Sequence, residues 1–157
     1  MAVPTHPIEG VRVKDLRRIS DDRGYLVEML RSDWPEFETF AQCYATACYP
    51  GVVKAWHYHT AQWDHFVCIQ GVARIVLYDP RENSPTRGAV NEFRVDASQP
   101  ALIKIPPLVY HGFTSESDRP VLMINFPTQL YNYEKPDEYR VPYDDPSIPY
   151  DWNRRRE

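Results

Sequence analysis

Short runs of β-branched and aromatic residues, separated by turn-forming residues, dominate the hydrophobic pattern of the chain. Runs of this kind, bounded by Gly, Pro, Asp and Asn, are typical of β-strands. The loop "DPRENSPTRG" separates two of the runs, and its Asp-Pro and Ser-Pro pairs favour turns. Many short strands with regular turns predict an all-β sandwich or a small barrel. The predicted strands cover residues 24–31, 38–49, 52–59, 64–71, 72–79, 88–95, 101–105, 110–115 and 121–126.

The length and composition indicate one globular domain covering residues 1–157. Lys and Arg number 18 against 22 Asp and Glu, which gives a formal net charge of −4. That balance does not provide the basic field that duplex nucleic acid requires. No apolar run approaches the roughly 20 residues of a membrane-spanning helix, and the first residues lack a signal-peptide pattern. Three cysteines without a CxxC pair argue against a disulfide framework. We therefore expect a cytoplasmic protein without nucleic-acid or membrane partners.

The end of the chain differs in composition from the strands before it. After Pro127 the sequence "TQLYNYEKPDEYRVPYDDPSIPYDW" is rich in tyrosine and proline. It is too aromatic to be disordered by composition. We expect this tail to wrap the barrel or a partner subunit, together with the N-terminal strand.

Three of the five histidines fall in one segment, "GVVKAWHYHTAQWDHFVCIQG", residues 51–71. Side chains two apart on a strand share a face, so His57 and His59 are expected to point the same way. The spacing of glycine, histidine and acid in this segment resembles the first signature of the cupin superfamily. The later "PPLVYH", residues 106–111, resembles the second signature. This resemblance implies a cupin-type antiparallel β-barrel, or jelly roll.

Within the cupins, the chain resembles the dTDP-4-dehydrorhamnose 3,5-epimerase family. The matching pieces are "DDRGYLVE" (21–28), "VVKAWHYH" (52–59), "YDPRENSPTRG" (78–88), "IPPLVYHGF" (105–113) and a tail with "DDP" and "DW". They stand in the family's order and span residues 11 to 152. The resemblance implies an isomerase of epimerase type that acts on a nucleotide-linked 4-keto-6-deoxy sugar. It also implies a homodimer and the absence of a cofactor.

The same resemblance implies roles for individual residues. His57 falls on the family's general base, which removes a proton beside the C4 keto group, and His111 falls on a second catalytic-pocket histidine. Such chemistry needs a base that works near pH 7 and positive character at the developing oxyanion. The residues implied to contact the nucleotide sugar are Arg23, Glu28, Lys54, His59 and Tyr133.

Three of the family's catalytic supports have no counterpart at the matching positions. The family's acid, a tyrosine, falls on Phe126 or Pro127, and its oxyanion-supporting lysine falls on Asp64. The aspartate that orients the base lies beyond the last tryptophan. The position two after the base, where the family usually has a glutamine, is His59. Tyr131 or Tyr58 could substitute for the acid.

The substituted positions allow two alternative interpretations. His57, His59, Asp64 and His111 stand where metal-binding cupins hold an ion, and this set of ligands would suit one divalent transition metal such as Fe, Mn, Zn or Ni. The metal could act as a Lewis acid on a keto oxygen, in an oxygenase, lyase or isomerase of another small molecule. Loss of the acid would instead permit a non-catalytic protein that binds sugar nucleotides. The epimerase is the function that we expect.

Overall fold

The computed structural model describes residues 6–153, and that part of the chain consists of strands and loops. The predicted all-β fold class is confirmed. Residues 6–153 contain no helix that is long and apolar enough to cross a membrane. The strands are β1 (Arg12–Asp15), β2 (Arg18–Asp21), β3 (Gly24–Val27), β4 (Tyr44–Cys48), β5 (Val53–Tyr58), β6 (Asp64–Gln70), β7 (Val72–Tyr78), β8 (Val90–Asp96), β9 (Ala101–Ile105), β10 (Tyr110–Ser115), β11 (Val121–Asn125) and β12 (Tyr139–Arg140).

Ten of the strands form two antiparallel five-stranded sheets that face each other. The first sheet has the order β1-β9-β6-β11-β4, and the second has the order β12-β5-β10-β7-β8. Strands β2 and β3 pair only with each other. Apolar side chains from both sheets fill the space between them, among them Phe66, Ile75, Phe93, Ile103 and Phe113. Burying each such side chain stabilises the fold by roughly 1.5–3 kcal/mol.

The predicted bounds of well-buried strands agree closely with the structure, whereas exposed strands were not predicted. The predicted strand 110–115 coincides with β10, and the predicted strand 121–126 differs from β11 by one residue. Strands β1, β2 and β12 were not predicted. All four residues of β2 and both residues of β12 are exposed, so no alternation of apolar and polar residues indicates them.

A close approach of two strands sets the spacing of two predicted site residues. His57 on β5 lies directly opposite His111 on β10, and the register shifts between His111 and Phe113. A Cβ atom at Gly112 would lie 2.3 Å from the Cβ of Ala55. Only glycine therefore lets β10 approach β5 at this point.

The tail packs against the barrel of its own chain. Ile148 and Trp152 are buried on the outer face of the second sheet, where they contact Trp56. Strand β12 pairs with β5, and Arg140 lies opposite His57. The tail therefore extends the second sheet beside the strand that carries the predicted base.

Candidate active site

A cavity of about 520 Å³ lies between the two sheets. Ligand-binding cavities typically measure about 300–1,000 Å³. Its walls come from β4 of the first sheet, from β5 and β10 of the second sheet, and from the tail. His57, His59 and His111 all line it, so the structure brings the three predicted pocket histidines together.

His57 is oriented by a carboxylate from the tail. Its Nδ1 lies 3.2 Å from Oε1 of Glu138. A carboxylate only accepts hydrogen bonds, so Nδ1 donates and Nε2 keeps its lone pair. Burial lowers the pKa of His57, and the charge of Glu138 opposes that effect. Arg140 donates two hydrogen bonds to the same Glu138 oxygen, at 2.9 and 3.1 Å, which holds the carboxylate in place.

Asp64 lies at the centre of a polar network in the cavity floor. Its side chain is 1 % exposed. Oδ2 lies 3.1 Å from Nε2 of His59 and 3.2 Å from Nε2 of His111. Oδ1 accepts hydrogen bonds from the side-chain amides of Gln62, at 2.9 Å, and Asn125, at 2.7 Å. A buried carboxylate requires such partners.

The two histidines that contact Asp64 have both ring nitrogens occupied. Nδ1 of His59 contacts the backbone carbonyl of Asp137, and Nδ1 of His111 lies 3.1 Å from the carbonyl of Val109. Direct proton transfer by His111 and direct substrate contact by His59 therefore stay predictions. Among the contacts of the described residues, His57 alone of the three keeps a ring nitrogen for the substrate.

Burial and charge act in opposite directions on the pKa values of this cluster. Burial alone would raise the pKa of Asp64, but the hydrogen bond and charge of His59 and the charge of His111 lower it to about 2. Burial lowers the pKa of His111 to about 4, against the attraction of Asp64. Burial alone would also lower the pKa of His59, yet its bond to Asp64 raises it. At neutral pH Asp64 is therefore ionised, burial favours the neutral form of His111, and the bond to Asp64 favours the protonated form of His59.

Three of the four predicted metal ligands lie close together. One ligand atom each from His59, Asp64 and His111 lies within 4.8 Å of the others. His57 is not part of this group. Three of the four predicted ligands therefore form the candidate metal group, and His57 as the fourth ligand stays a prediction.

Two of the predicted substrate contacts lie at or near the cavity. Lys54 lines it and donates a hydrogen bond of 2.9 Å to the hydroxyl of Thr46. Tyr133 is 90 % exposed and packs edge-on against Tyr131, which lines the cavity. Both positions fit contacts with the outer part of a ligand.

Of the five predicted substrate contacts, Arg23 and Glu28 lie away from the cavity of their own chain. Arg23 lies in the turn between β2 and β3 and forms an ion pair with Asp21. Glu28 follows β3 and forms an ion pair with Arg31. Neither Arg23 nor Glu28 lines the cavity, because this hairpin pairs with neither large sheet.

One of the tyrosines considered for the acid is misplaced for that role. Tyr58 stacks between Tyr110 and Tyr139, with ring centroids 4.6 and 5.1 Å apart. It does not line the cavity, whereas Tyr131 does. Tyr58 is therefore excluded as the acid because it points to the opposite face of β5 from His57.

The sequence motifs did not reveal the tail carboxylates. The side chain of Asp137 accepts hydrogen bonds from the backbone N–H groups of Thr60, at 2.7 Å, Ala61, at 2.9 Å, and Gln62, at 3.2 Å. This clasp places the neighbouring Glu138 against His57. The only signal in the sequence is the adjacent pair of acids in "KPDEYR", and nothing local connects it to a histidine 81 positions earlier.

The architecture and the cavity together define a cupin-type barrel whose cavity holds a histidine oriented by a carboxylate. The chain belongs to the dTDP-4-dehydrorhamnose 3,5-epimerase family, whose family model matches residues 5–157. It is therefore a probable sugar-nucleotide epimerase, and the expected cupin fold is confirmed.

Relatives agree with this assignment. The chain is 50% identical over 148 residues to the probable low-salt glycan biosynthesis epimerase Agl13 of Haloferax volcanii. This match covers 93% of this chain and 95% of the relative. It is 42% identical over 146 residues to the spore coat polysaccharide biosynthesis protein SpsL of Bacillus subtilis, covering 93% and 97% of the two chains. The crystal structure of a dTDP sugar isomerase from Desulfovibrio desulfuricans superposes with a TM-score of 0.87 at 34% identity, covering 92% of each chain.

Replacing Glu138 by Gln tests whether the tail carboxylate tunes the base. The substitution removes the charge that opposes the effect of burial, so we expect the pKa of His57 to fall further. A general base works unprotonated, so the acid limb of the kcat/KM profile should move to lower pH. A positioned base contributes about 10²–10⁴-fold to the rate. The plateau value of kcat/KM should fall by a smaller factor, because the imidazole itself is retained. The measurement is the pH dependence of kcat/KM with a dTDP-sugar of this family.

Arg140→Gln provides the matched control, because Arg140 lowers the pKa of His57 and its removal should move the same limb to higher pH. Two other titratable groups face His57, namely His59 and His111. Both variants leave these two residues unchanged. A lower plateau with an unmoved acid limb in Glu138→Gln would show that the carboxylate has only a structural role.

Proposed function

We propose that the protein epimerizes a nucleotide-linked 4-keto-6-deoxy sugar and that His57 removes the proton next to the keto group. The observation that carries this proposal is the orientation of His57, whose Nδ1 faces Glu138 while its side chain lines the cavity. The names of the Haloferax volcanii and Desulfovibrio desulfuricans relatives, an epimerase and a dTDP sugar isomerase, support the same reaction class.

The proposed step requires no redox cofactor. The C–H bond next to the carbonyl breaks, its proton goes to Nε2 of His57, and its electron pair moves into the carbonyl to form an enolate. The imidazolium that forms is stabilised by Glu138. Return of a proton to the opposite face of the carbon restores the keto group with inverted configuration. Only carbons beside the C4 carbonyl, C3 and C5, are acidified in this way.

The charges at the cavity suit the rest of such a substrate. Lys54 and Arg140 line the cavity and can bind the diphosphate of a nucleotide sugar. The exposed ring of Tyr133 next to Tyr131 can stack on the nucleotide base. These residues surround the cavity at positions away from the Asp64 network.

Isotope exchange tests the base. In deuterium oxide, deuterium should enter the sugar beside the C4 carbonyl, because the proton on His57 exchanges with solvent. His57→Asn should reduce exchange at both carbons by about 10²–10⁴-fold. The incorporation of deuterium is measured by nuclear magnetic resonance, with dTDP-linked and UDP-linked 4-keto-6-deoxyglucose as substrates.

His65→Asn is a control for the loss of an imidazole, because His65 lies outside the cavity lining. Exchange at the wild-type rate in His57→Asn would eliminate His57 as the base. Wild-type protein that binds these sugars without exchange would favour the non-catalytic alternative.

The geometry of Asp64 favours a second candidate, a metal-dependent reaction. Backbone carbonyls accept from Nδ1 of His59 and of His111, so in the neutral rings both Nε2 lone pairs point at Oδ2 of Asp64. Metal-binding histidines characteristically donate their other ring N–H in this way. Nε2 of His59, Nε2 of His111 and Oδ2 of Asp64 are then three acceptors that face one another. Either protons or a metal ion must lie between them, because acceptors repel each other. The residues therefore fit a divalent ion, which would act as a Lewis acid on a keto oxygen.

Metal analysis tests this candidate. Purified protein should then contain close to one Zn, Fe, Mn or Ni per chain, and His59→Gln should lose it. His57→Asn should keep the metal, because His57 lies outside the ligand group. Full activity of protein without metal would eliminate this candidate and leave protons as the cation.

We further propose that the protein is a homodimer. On the hairpin of β2 and β3, Ile19, Tyr25 and Leu26 are 48 %, 56 % and 57 % exposed, and the hairpin joins neither large sheet. A partner subunit would cover this apolar surface. The same contact would bring Arg23 and Glu28 towards the partner's cavity, as their predicted roles require.

Sedimentation equilibrium at micromolar concentration tests the dimer. The wild type should have the mass of two chains, and Leu26→Asp should shift it towards one chain. Tyr143→Asp, which places the same charge on an exposed tail residue, should leave the mass unchanged. A monomeric wild type would refute the proposal.

The cysteines bear on the compartment in which the protein works. Cys43, Cys48 and Cys68 are unpaired in the structure, as is usual in a reducing compartment. A cytoplasmic location remains our proposal, and cell fractionation would test it.

A further inference from the structure

Inversion at a carbon requires a proton donor on the face opposite the base. The family's acid position falls on Phe126 or Pro127, and neither side chain can donate a proton; Phe126 packs among Leu16, Val67 and Leu102 outside the cavity. Two phenols line the cavity in the described residues, those of Tyr44 and Tyr131. The choice between them decides how the chain could complete an epimerization.

Tyr44 lies on the wall opposite His57. It is on β4, at the edge of the first sheet, whereas His57 is on β5 in the second sheet. Its cross-strand partner is Asn125 on β11, and directly opposed residues have side chains on the same face of a sheet. Asn125 points into the barrel, where it contacts Asp64. The phenol of Tyr44 therefore approaches the cavity from the side that faces the base.

Asn125 fixes the orientation of the Tyr44 hydroxyl. The Oδ1 of Asn125 accepts a hydrogen bond of 2.9 Å from the backbone N–H of His65, which determines which end of the amide faces the cavity. Its Nδ2 then donates to the hydroxyl oxygen of Tyr44, at 2.9 Å, and to Asp64, at 2.7 Å. Because the amide is the donor, the hydrogen of the phenol is not used in this bond. It can be given to a ligand.

Tyr131 lacks a comparable arrangement. It lies in the tail between β11 and β12, and the contact that involves its ring is the edge-on packing with exposed Tyr133, at 5.0 Å. Tyr44, by contrast, lies on a strand and is held by a fully buried amide. Donors held on rigid elements are positioned more accurately than those on loops.

We propose that Tyr44 is the proton donor of the epimerization, acting on the face opposite His57. This role rests on the proposed function. The O–H bond of Tyr44 breaks as the enolate electron pair forms the new C–H bond, and the carbonyl is restored. The enzyme is left with an imidazolium at His57 and a phenolate at Tyr44. Water then takes the proton from the first and returns one to the second.

The environment of Tyr44 agrees with this role. Burial and the negative charge of Asp64 raise the pKa of Tyr44 to about 12, so the phenol is protonated at neutral pH and ready to donate. The register also explains how the donor replaces the family's tyrosine. Tyr44 pairs with residue 125, which precedes the family's acid position at Phe126 or Pro127, so the proposed donor lies on the strand adjacent to that position in the same sheet.

Comparison of exchange with inversion in Tyr44→Phe tests the proposal. With dTDP-linked and UDP-linked 4-keto-6-deoxyglucose in deuterium oxide, this variant should keep wild-type exchange, because His57 can return deuterium to the face it deprotonated. Formation of the inverted sugar should fall by about 10²-fold or more. Tyr110→Phe, on the outer stack with Tyr58 and Tyr78, is the matched control and should keep both activities.

The outcomes separate the two proposals. Inversion at the wild-type rate in Tyr44→Phe, or its loss in Tyr131→Phe alone, would overturn the role of Tyr44 and leave the proposed function standing. Loss of exchange together with inversion in Tyr44→Phe would also overturn it, because a donor on the opposite face acts after proton removal. A wild type that shows no exchange would refute the proposed function itself and the donor with it.

Discussion

Asp64 carries its negative charge almost entirely out of water, and the inside of the barrel is arranged to compensate for it. An uncompensated buried charge costs several kcal/mol, so each of its partners is constrained in turn. His59 follows β5, His111 lies on β10 and Asn125 on β11. The carboxylate therefore connects the two sheets at the floor of the cavity. Through Asn125 its influence extends as far as the phenol of Tyr44.

Two departures from the related family prove to be one physical change. The resemblance places a lysine where Asp64 stands and a glutamine where His59 stands, and each replacement alone seems arbitrary. The structure pairs the two residues at 3.1 Å. A carboxylate in place of an ammonium group reverses the charge of the cavity floor, and a histidine able to hold a proton compensates for the reversal. The hydrogen bond of His57, the proposed base, is to Glu138 and not to this pair.

The sequence predicts those features that depend on local periodicity or spacing. Strand β11 shows alternation of buried and half-buried residues. The spacing of the two motifs points to His57 and His111, which the register places opposite each other. The role of Glu138 could not be predicted, since its contact with His57 depends on how the tail returns to the barrel. Tyr44 was missed for a similar reason, because the pairing of β4 with β11 joins residues 81 positions apart. The positions of Arg23 and Glu28 relative to the cavity depend on an exposed hairpin without a periodic signal.

The clasp between Asp137 and the loop at residues 60–62 has a consequence for the order in which the chain matures. Chains are synthesised from the N-terminus, and domains generally begin to fold before synthesis ends. All strands of both large sheets except β12 lie before residue 126, so the barrel can assemble while the tail is still inside the ribosome. His57 then lacks its orienting carboxylate until residues 137 and 138 emerge and dock. A chain that ends before residue 137 would therefore contain these strands without the carboxylate that orients His57.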